Sequence, residues 1–249
     1  MTSFTRLTLV GSRADLWWIR PGTVTDPAEL ARCRDLLTDD ELEKTDRFRL
    51  ASDRHTCLIT RVLLRTTLSR YCAVSPTQWR FRTNSNGRPE INYPPSSIRF
   101  NLSHTSGLIV CLVSRSREVG VDVESLGRAV RWLDLSERFF AAREVAAIRR
   151  VEESERSTRF LQHWALKESY VKARGLGLTI PLTGFSFDLL GKAADEISVR
   201  FTSVVSDDPG RWQFTLKQLG HSHIVATAVE RTGPEPVRIT LREAVALLG

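Results

Sequence analysis

Val119-Gly120-Val121-Asp122-Val123-Glu124 alternates apolar and polar residues in the manner of a β-strand. Successive strand side chains point to opposite faces, so Gly120, Asp122 and Glu124 share one face and the three valines the other. Two carboxylates at i and i+2 can share one hard cation such as Mg²⁺, which favours oxygen ligands. The same six residues also suit an amphipathic strand with a solvated acidic face. Further along, Trp164-Ala165-Leu166-Lys167-Glu168-Ser169-Tyr170-Val171-Lys172 reads as helix. Helical spacing sets Trp164, Glu168 and Lys172 on one stripe. A third carboxylate, Glu168, facing the acidic strand would complete a metal site, and Lys172 could hold a phosphate or steady a leaving oxygen. An ordinary surface ion pair has the same spacing.

Outward from these two segments the chain shows one order twice: a long helix, then a set of strands. The first half gives a strand over Ala14–Ile19 and a helix over Asp26–Leu37, with Asp26 as N-cap and Pro27 in its first position. Asp39–Phe48 continues helical. A long helix over Ser52–Tyr71 carries Leu58, Ile59, Val62 and Leu63 on one face. Strands are predicted at Trp79–Arg82, Ile98–Leu102, Leu108–Val113 and Val119–Glu124, with a turn at Asn86–Pro89. The second half gives helices at Ser136–Phe140, Arg143–Arg150 and Glu155–Ala173, the last stopped by Gly175 and Gly177. Strands follow at Phe185–Leu190, Ile197–Phe201, Trp212–Leu219 and His223–Val229, and a short helix near Leu241–Leu248 closes the chain. The expected architecture is α+β: two pseudo-symmetric lobes, each a long helix packed on an antiparallel sheet. Residues 1–116 would form the first and 117–249, with the acidic residues, the second.

One more stretch carries chemistry. In Phe100-Asn101-Leu102-Ser103-His104-Thr105-Ser106-Gly107 a strand runs into a loop rich in hydroxyl groups. Such a loop can offer Oγ, imidazole and backbone N–H groups to phosphate oxygens, and a plain hairpin turn reads the same. There is no G-x-S-x-G elbow, which argues against a hydrolase triad. A phosphate-binding G-x-x-x-x-G-K-[ST] loop is absent, and Gly175-Leu176-Gly177 follows a helix and lacks a third glycine.

Composition narrows the setting. The 249 residues are 41% apolar and 26% charged, enough for one large or two small cores. No apolar run is long enough to span a bilayer. The first eighteen residues, interrupted by Arg6, Arg13 and Asp15, lack a secretory pattern. Cys33, Cys57, Cys72 and Cys111 form no C-x-x-C pair, which points to reduced thiols and a cytoplasmic protein. The net charge of +7 favours acidic partners: nucleic acid, phosphorylated small molecules or acidic proteins. Zinc-finger spacing, RNP-like aromatic motifs and dense Lys/Arg tracts are all missing, which argues against nucleic acid.

The order Val119–Glu124, then Trp164–Lys172, resembles the signature of the 4′-phosphopantetheinyl transferases. The length and the upstream Asn101-Leu102-Ser103-His104 are similar to the long, Sfp-type branch, over roughly Glu41 to Val229. The resemblance implies transfer of the 4′-phosphopantetheine arm of coenzyme A to a carrier-protein serine, releasing adenosine 3′,5′-bisphosphate. Coenzyme A and Mg²⁺ would sit in a cleft between the two lobes. Asp122, Glu124 and Glu168 match the metal carboxylates, with Asp122 also counted as catalytic, Glu168 as candidate base and Lys172 as the side chain that stabilises the bridging or leaving oxygen. Lys44, Arg88, Ser103, His104, Lys167 and Lys172 match coenzyme-contacting positions. Arg47 and Arg54 are plausible helpers, and Glu144 matches an acidic position before the motif helix. Two positions depart from the pattern: Cys57 stands where a hydroxyl residue often meets the 3′-phosphate, and Glu41 where a basic residue is common. The implied partners are coenzyme A and an apo acyl or peptidyl carrier protein, with no nucleic acid, no membrane and a monomeric enzyme. Two other readings use the same residues: a Mg²⁺-dependent pyrophosphate hydrolase and a basic binding module without catalysis.

Overall fold

The computed structural model describes residues 6–9, 11–189, 197–245 and 247–248. Its contacts divide the chain into two units. The first comprises residues 1–83, 89–116 and 238–249; the second comprises 84–88 and 117–237.

The first unit begins with β1 (Arg13–Ile19) and three helices: α1 (Pro27–Arg34), α2 (Asp39–Asp46) and α3 (Ala51–Ser69). Asp26 caps α1 by accepting from the Ala28 and Glu29 amides, with Pro27 at the first position. Thr38 and Glu41 form a capping box at the start of α2. Strands β2 (Arg80–Thr83), β3 (Pro89–Tyr93), β4 (Ile98–Thr105) and β5 (Leu108–Arg115) follow. The main sheet runs β11-β1-β5-β4, where β11 is Arg238–Glu243. The stripe Leu58, Ile59, Val62 and Leu63 of α3 joins Trp17, Ile19, Ile109, Cys111 and Val113 of the sheet in one core. This is the packing that an apolar helical face demands.

Strand β11 corrects two expectations. Leu241–Leu248 was expected to be helical, but Arg238–Glu243 is a strand paired in parallel with β1. It therefore belongs with the first unit and not with residues 117–237, and it makes that sheet mixed. The physical reason is a buried anchor. Arg242 Nε donates to Asp15 Oδ2 at 2.7 Å, and the same oxygen accepts from Tyr71 Oη at 2.7 Å. Asp15 is fully buried, so its charge needs these partners. Residues 246 and 249 lie outside the described part of the chain, as does Leu190 at the end of its expected strand.

The second unit contains β6 (Val119–Ser125), α4 (Trp132–Phe139), α5 (Ala142–Arg150) and α6 (Glu153–Arg174). Four strands complete it: β7 (Phe185–Leu189), β8 (Ile197–Phe201), β9 (Trp212–Leu219) and β10 (His223–Glu230). Its larger sheet is antiparallel, in the order β6-β10-β9, and β7 and β8 pair separately. Helix α6 ends at Gly175, whose φ of 62° lies in the left-handed region that glycine adopts without strain. Tyr170, on the buried side of α6, sits among Phe185, Phe201, Trp212 and Phe214.

Candidate active site on β6 and α6

The site begins with a glycine. A Cβ at Gly120 would lie 2.0 Å from the Ser169 carbonyl oxygen and 2.4 Å from the Ala173 nitrogen. Only a residue without a side chain lets the α6 backbone lie directly on β6. Asp122 and Glu124 follow Gly120 on the same strand face, and both are buried. The face of α6 that meets β6 therefore meets them too. Lys172 Nζ donates to Asp122 Oδ1 at 2.6 Å. Arg128, four residues beyond Glu124, places Nη1 3.2 Å from Glu124 Oε2.

Glu168 lies one helical turn before Lys172 and is half-buried. Its carboxyl is pushed above the ordinary glutamate value, first by burial and then by the negative charge of Asp122; Lys172 opposes the shift and Glu124 adds to it. Glu124 is pushed up too, first by burial and then by Asp122, while Arg128 and Lys172 pull it down. Two of these carboxyls, Glu124 and Glu168, thus resist ionisation through burial and the nearby charge of Asp122. Among the described residues, no group of three His, Cys, Asp or Glu side chains stands at metal-ligand spacing. The cations closest to these carboxylates are Lys172 and Arg128.

The other expected contacts are more scattered. Lys167 departs from expectation. It is fully buried, with Nζ 2.8 Å from Glu144 Oε2 and donating to the carbonyls of Leu182 and Phe185. Neighbouring helical residues face different ways, so Lys167 cannot share the stripe of Glu168 and Lys172. Glu144 is correspondingly a buried anchor. Burial alone would raise its carboxyl, but the His163 and Lys167 side chains outweigh that and hold it below the ordinary value. The Glu144 side chain also caps α5 through the Ala141 amide and accepts from the Phe187 amide.

Arg88 lies in the 84–88 turn that groups with the second unit. Its Nη1 donates to Glu118 Oε2 at 2.6 Å and to the Ala173 carbonyl at 2.8 Å. This guanidinium ties the turn to the end of α6 and the start of β6.

Ser103 and His104 are strand residues, not loop residues, because β4 runs on to Thr105. The pleat separates them: Ser103 is buried, whereas exposed His104 lines a cavity of about 760 Å³ within the first unit, together with half-buried Leu102. Residues of α3 and Phe48 line it as well. Lys44 is exposed in the last turn of α2. The two departures noted in the sequence are both engaged internally. Glu41 is buried and pairs with Arg65 at 2.5 Å, and Cys57 Sγ lies 3.3 Å from Thr45 Oγ1. Reading the sequence missed Arg128 and Arg61 as neighbours of the acidic groups. The i,i+4 spacing of Glu124 and Arg128 was the available signal for the first.

Comparison with known proteins supplies the family. Residues 118–228 match the model of the 4′-phosphopantetheinyl transferase superfamily, and residues 25–117 match that of the 4′-phosphopantetheinyl transferase N-terminal region. The chain is 33% identical over 175 residues to the 4′-phosphopantetheinyl transferase HetI of Nostoc sp., covering 69% of this chain and 73% of that protein. It is 31% identical over 161 residues to the 4′-phosphopantetheinyl transferase Sfp of Bacillus subtilis, covering 65% and 70%. A phosphopantetheinyl transferase of Thraustochytrium sp. is 30% identical over 229 residues, covering 87% of this chain and 78% of the other. Both halves of the chain, including the strand and helix that carry Asp122, Glu124, Glu168 and Lys172, fall within these matches, and the chain belongs to the 4′-phosphopantetheinyl transferase family as an enzyme of that activity.

Proposed function

We propose that this enzyme takes the 4′-phosphopantetheine group from coenzyme A and transfers it to a serine of an apo acyl or peptidyl carrier protein, with Mg²⁺ held by Asp122, Glu124 and Glu168. The observation that carries the site assignment is the contact of α6 with Gly120, which brings Glu168 and Lys172 to the strand of Asp122 and Glu124. The donor set is oxygen-only, and Glu124 and Glu168 resist ionisation through burial and through the negative charge of Asp122. A divalent cation relieves that kind of strain, so the residues suit a hard ion. When bound, Mg²⁺ would neutralise charge on the pyrophosphate oxygens.

The chain's own groups do the rest. Glu168, with its raised proton affinity, accepts the proton of the carrier serine hydroxyl. General-base catalysis of that kind is worth about 10²–10⁴-fold. Lys172, held by Asp122, presents its ammonium to the oxygen that takes on charge as the pyrophosphate bond breaks. Lys44 and His104 are the coenzyme contacts this reading keeps from the first unit. Arg88 and Lys167 support the fold of the second unit around the site, and Ser103 is buried within the first unit.

Carrier loading tests the reading. The enzyme, coenzyme A, Mg²⁺ and an apo-carrier protein are incubated, and the carrier is weighed by mass spectrometry. One phosphopantetheine adduct on one serine is expected, lost on chelation of divalent ions and restored by Mg²⁺. Full loading after exhaustive chelation would overturn the metal assignment. Repeating the assay across fatty-acid, polyketide and nonribosomal-peptide carriers defines the acceptor range.

A further inference from the structure

Helix α6 is held from two sides, and the second hold is used neither by the motifs nor by the proposed mechanism. Its front rests on Gly120 of β6. At its back lies Asp207, in the segment between β8 and β9. One oxygen of this carboxylate, Oδ2, accepts from Tyr170 Oη at 2.7 Å and from Arg174 Nη1 at 2.5 Å, and both donors belong to α6. Arg174 Nη1 also donates to Tyr170 Oη at 2.7 Å, so the three groups close a triangle. Trp212 Nε1, at the start of β9, donates to the same Oδ2 at 2.9 Å. The Asp207 side chain is 5% exposed, and a charge so enclosed would be costly without these donors.

The base of this clamp is fixed to the rest of the unit. Thr202 donates to the Gly184 carbonyl through both its amide and its hydroxyl, each at 2.9 Å, and Val205 is buried. Arg211 places Nη1 3.7 Å from Asp207 Oδ1 and Nη2 2.8 Å from Glu230 Oε1. The other oxygen of Glu230 accepts from the Glu118 amide, at the entry to β6. The carboxylate that holds α6 is thus linked, through Arg211 and Glu230, to the strand that carries Asp122 and Glu124.

The spacing makes this hold matter for the site. Tyr170 and Arg174 follow Glu168 and Lys172 by two residues each. Two residues are about 200° of helical rotation, so the clamped pair and the site pair lie on opposite sides of the same two turns. Gly120 sets how close α6 comes to β6 but, lacking a side chain, gives little resistance to rotation. A turn of α6 by about 10° would move a side-chain atom ~6 Å from its axis by roughly 1 Å. Misplacement of that size, caused far from the chemistry, costs about 10²-fold in rate.

We infer that Asp207 is a positioning residue for the transfer reaction: it fixes the rotation of α6 and thereby sets Glu168, with Lys172 one turn on, against the carboxylates of β6. The inference rests on Glu168 and Lys172 acting as proposed above.

The test is kinetic, on the whole chain with saturating Mg²⁺, with rates referred to the folded fraction. Asp207→Ala should lower kcat for carrier loading by about 10–100-fold and leave KM for coenzyme A within about twofold of wild type. Asp207→Asn keeps an acceptor for Tyr170 and should recover part of the loss. Tyr170→Phe removes one arm of the clamp, keeps the ring in its aromatic cluster and should show a smaller loss of kcat; it carries the same test if Asp207→Ala does not fold. In a Glu168→Gln background the further loss from Asp207→Ala should shrink to about threefold or less, because groups that act as a unit are not additive. A lower melting temperature with kcat unchanged in all three variants would make Asp207 a purely structural group. A rise in KM at constant kcat would place it in donor binding, and an equal loss of kcat with and without Glu168 would separate it from the base. Each of these results overturns the inference and leaves the transferase reading intact. A wild-type enzyme that loads no carrier overturns that reading, and this inference with it.

Discussion

Helices α3 and α6 are the long helices of their respective units, and each lays one face on a sheet, yet they bury different things. α3 covers its sheet with an aliphatic stripe, Leu58, Ile59, Val62 and Leu63, and its buried charge, Arg65, is fully occupied by Glu41 and two carbonyls. α6 buries Phe160 and Leu161 but also His163, Lys167 and Ser169, and it sets Glu168 and Lys172 beside a strand that carries two more carboxylates. On α3 the close pair of Arg65 with Glu41 serves stability. At α6 and β6 polarity is concentrated, and burial, then the negative charge of Asp122, keeps the proton affinities of Glu124 and Glu168 raised against the pull of Lys172. Several carboxylates with raised proton affinity gathered at one close strand contact are a feature of sites arranged for chemistry, whereas a single close buried pair is a feature of packing.

The contrast breaks first at the carboxylates. Asp122→Ala and Glu168→Gln should each lower the rate of carrier loading by about 10²–10⁴-fold, with the fold retained in circular dichroism. A Leu63→Ala change on α3 should instead destabilise by about 2–5 kcal/mol in urea melts and leave kcat of the folded fraction unchanged. If Leu63→Ala lowers kcat as much as Glu168→Gln, the division of labour between the helices is wrong.

The next effect concerns two buried ion pairs, Glu41–Arg65 in the first unit and Glu144–Lys167 in the second. Removing one partner strands the other charge, so Glu144→Ala and Arg65→Ala should each cost about 3–5 kcal/mol in denaturant midpoints. Similar losses are expected, because both pairs are structural. A loss confined to kcat in Glu144→Ala would return Lys167 to the substrate side.

Gly120→Ala should cost roughly 1–3 kcal/mol, the usual penalty for overpacking, because the new Cβ meets helix backbone and not a side chain that can move. It should also reduce loading, since α6 carries Glu168 away as it shifts.

The smallest effect is the pH dependence of metal stabilisation. Folding raises the proton affinity of Glu124 and Glu168, so each contributes stability that is present at low pH and lost as pH rises through its raised value. A cation bound to the ionised pair reverses that loss. Mg²⁺ at a hundredfold excess over Kd should stabilise the enzyme by up to about 2.7 kcal/mol at mildly alkaline pH. The gain should fade as pH drops toward the raised glutamate values, because protons then compete for the same oxygens. Melting curves with and without Mg²⁺ across pH measure it, and a stabilisation that does not change with pH would place the ion elsewhere.

How much of this was legible beforehand differs from residue to residue. The stripe on α3 and the alternation in β6 were plain, since both follow from the helical and strand periods. The stop of α6 at Gly175 was legible as well. Ser103 and His104 looked like partners in a loop, because the hydroxyl-rich composition resembles a turn; cross-strand pairing with Val110 and Ile109 of β5 holds them in a pleat that sends them to opposite faces. Lys167 looked like a site residue through proximity in sequence to Glu168, and the turn of the helix sends it into the core. β11 looked helical, and a long-range pairing with β1, together with the Arg242–Asp15 contact, overrode that local preference.

The sequence by itself determined what is periodic and local: which segments form helix or strand, which face of each is apolar, and that Asp122 and Glu124 share a face while Glu168 and Lys172 share a stripe. Those are consequences of fixed geometric repeats acting over a few residues. Only the tertiary structure decided which face meets which. The missing side chain of Gly120 sets the distance between α6 and β6, and the Glu144–Lys167 and Glu41–Arg65 pairs hold their charges within the interior. Those outcomes depend on burial and on partners distant in the chain, which no local pattern encodes.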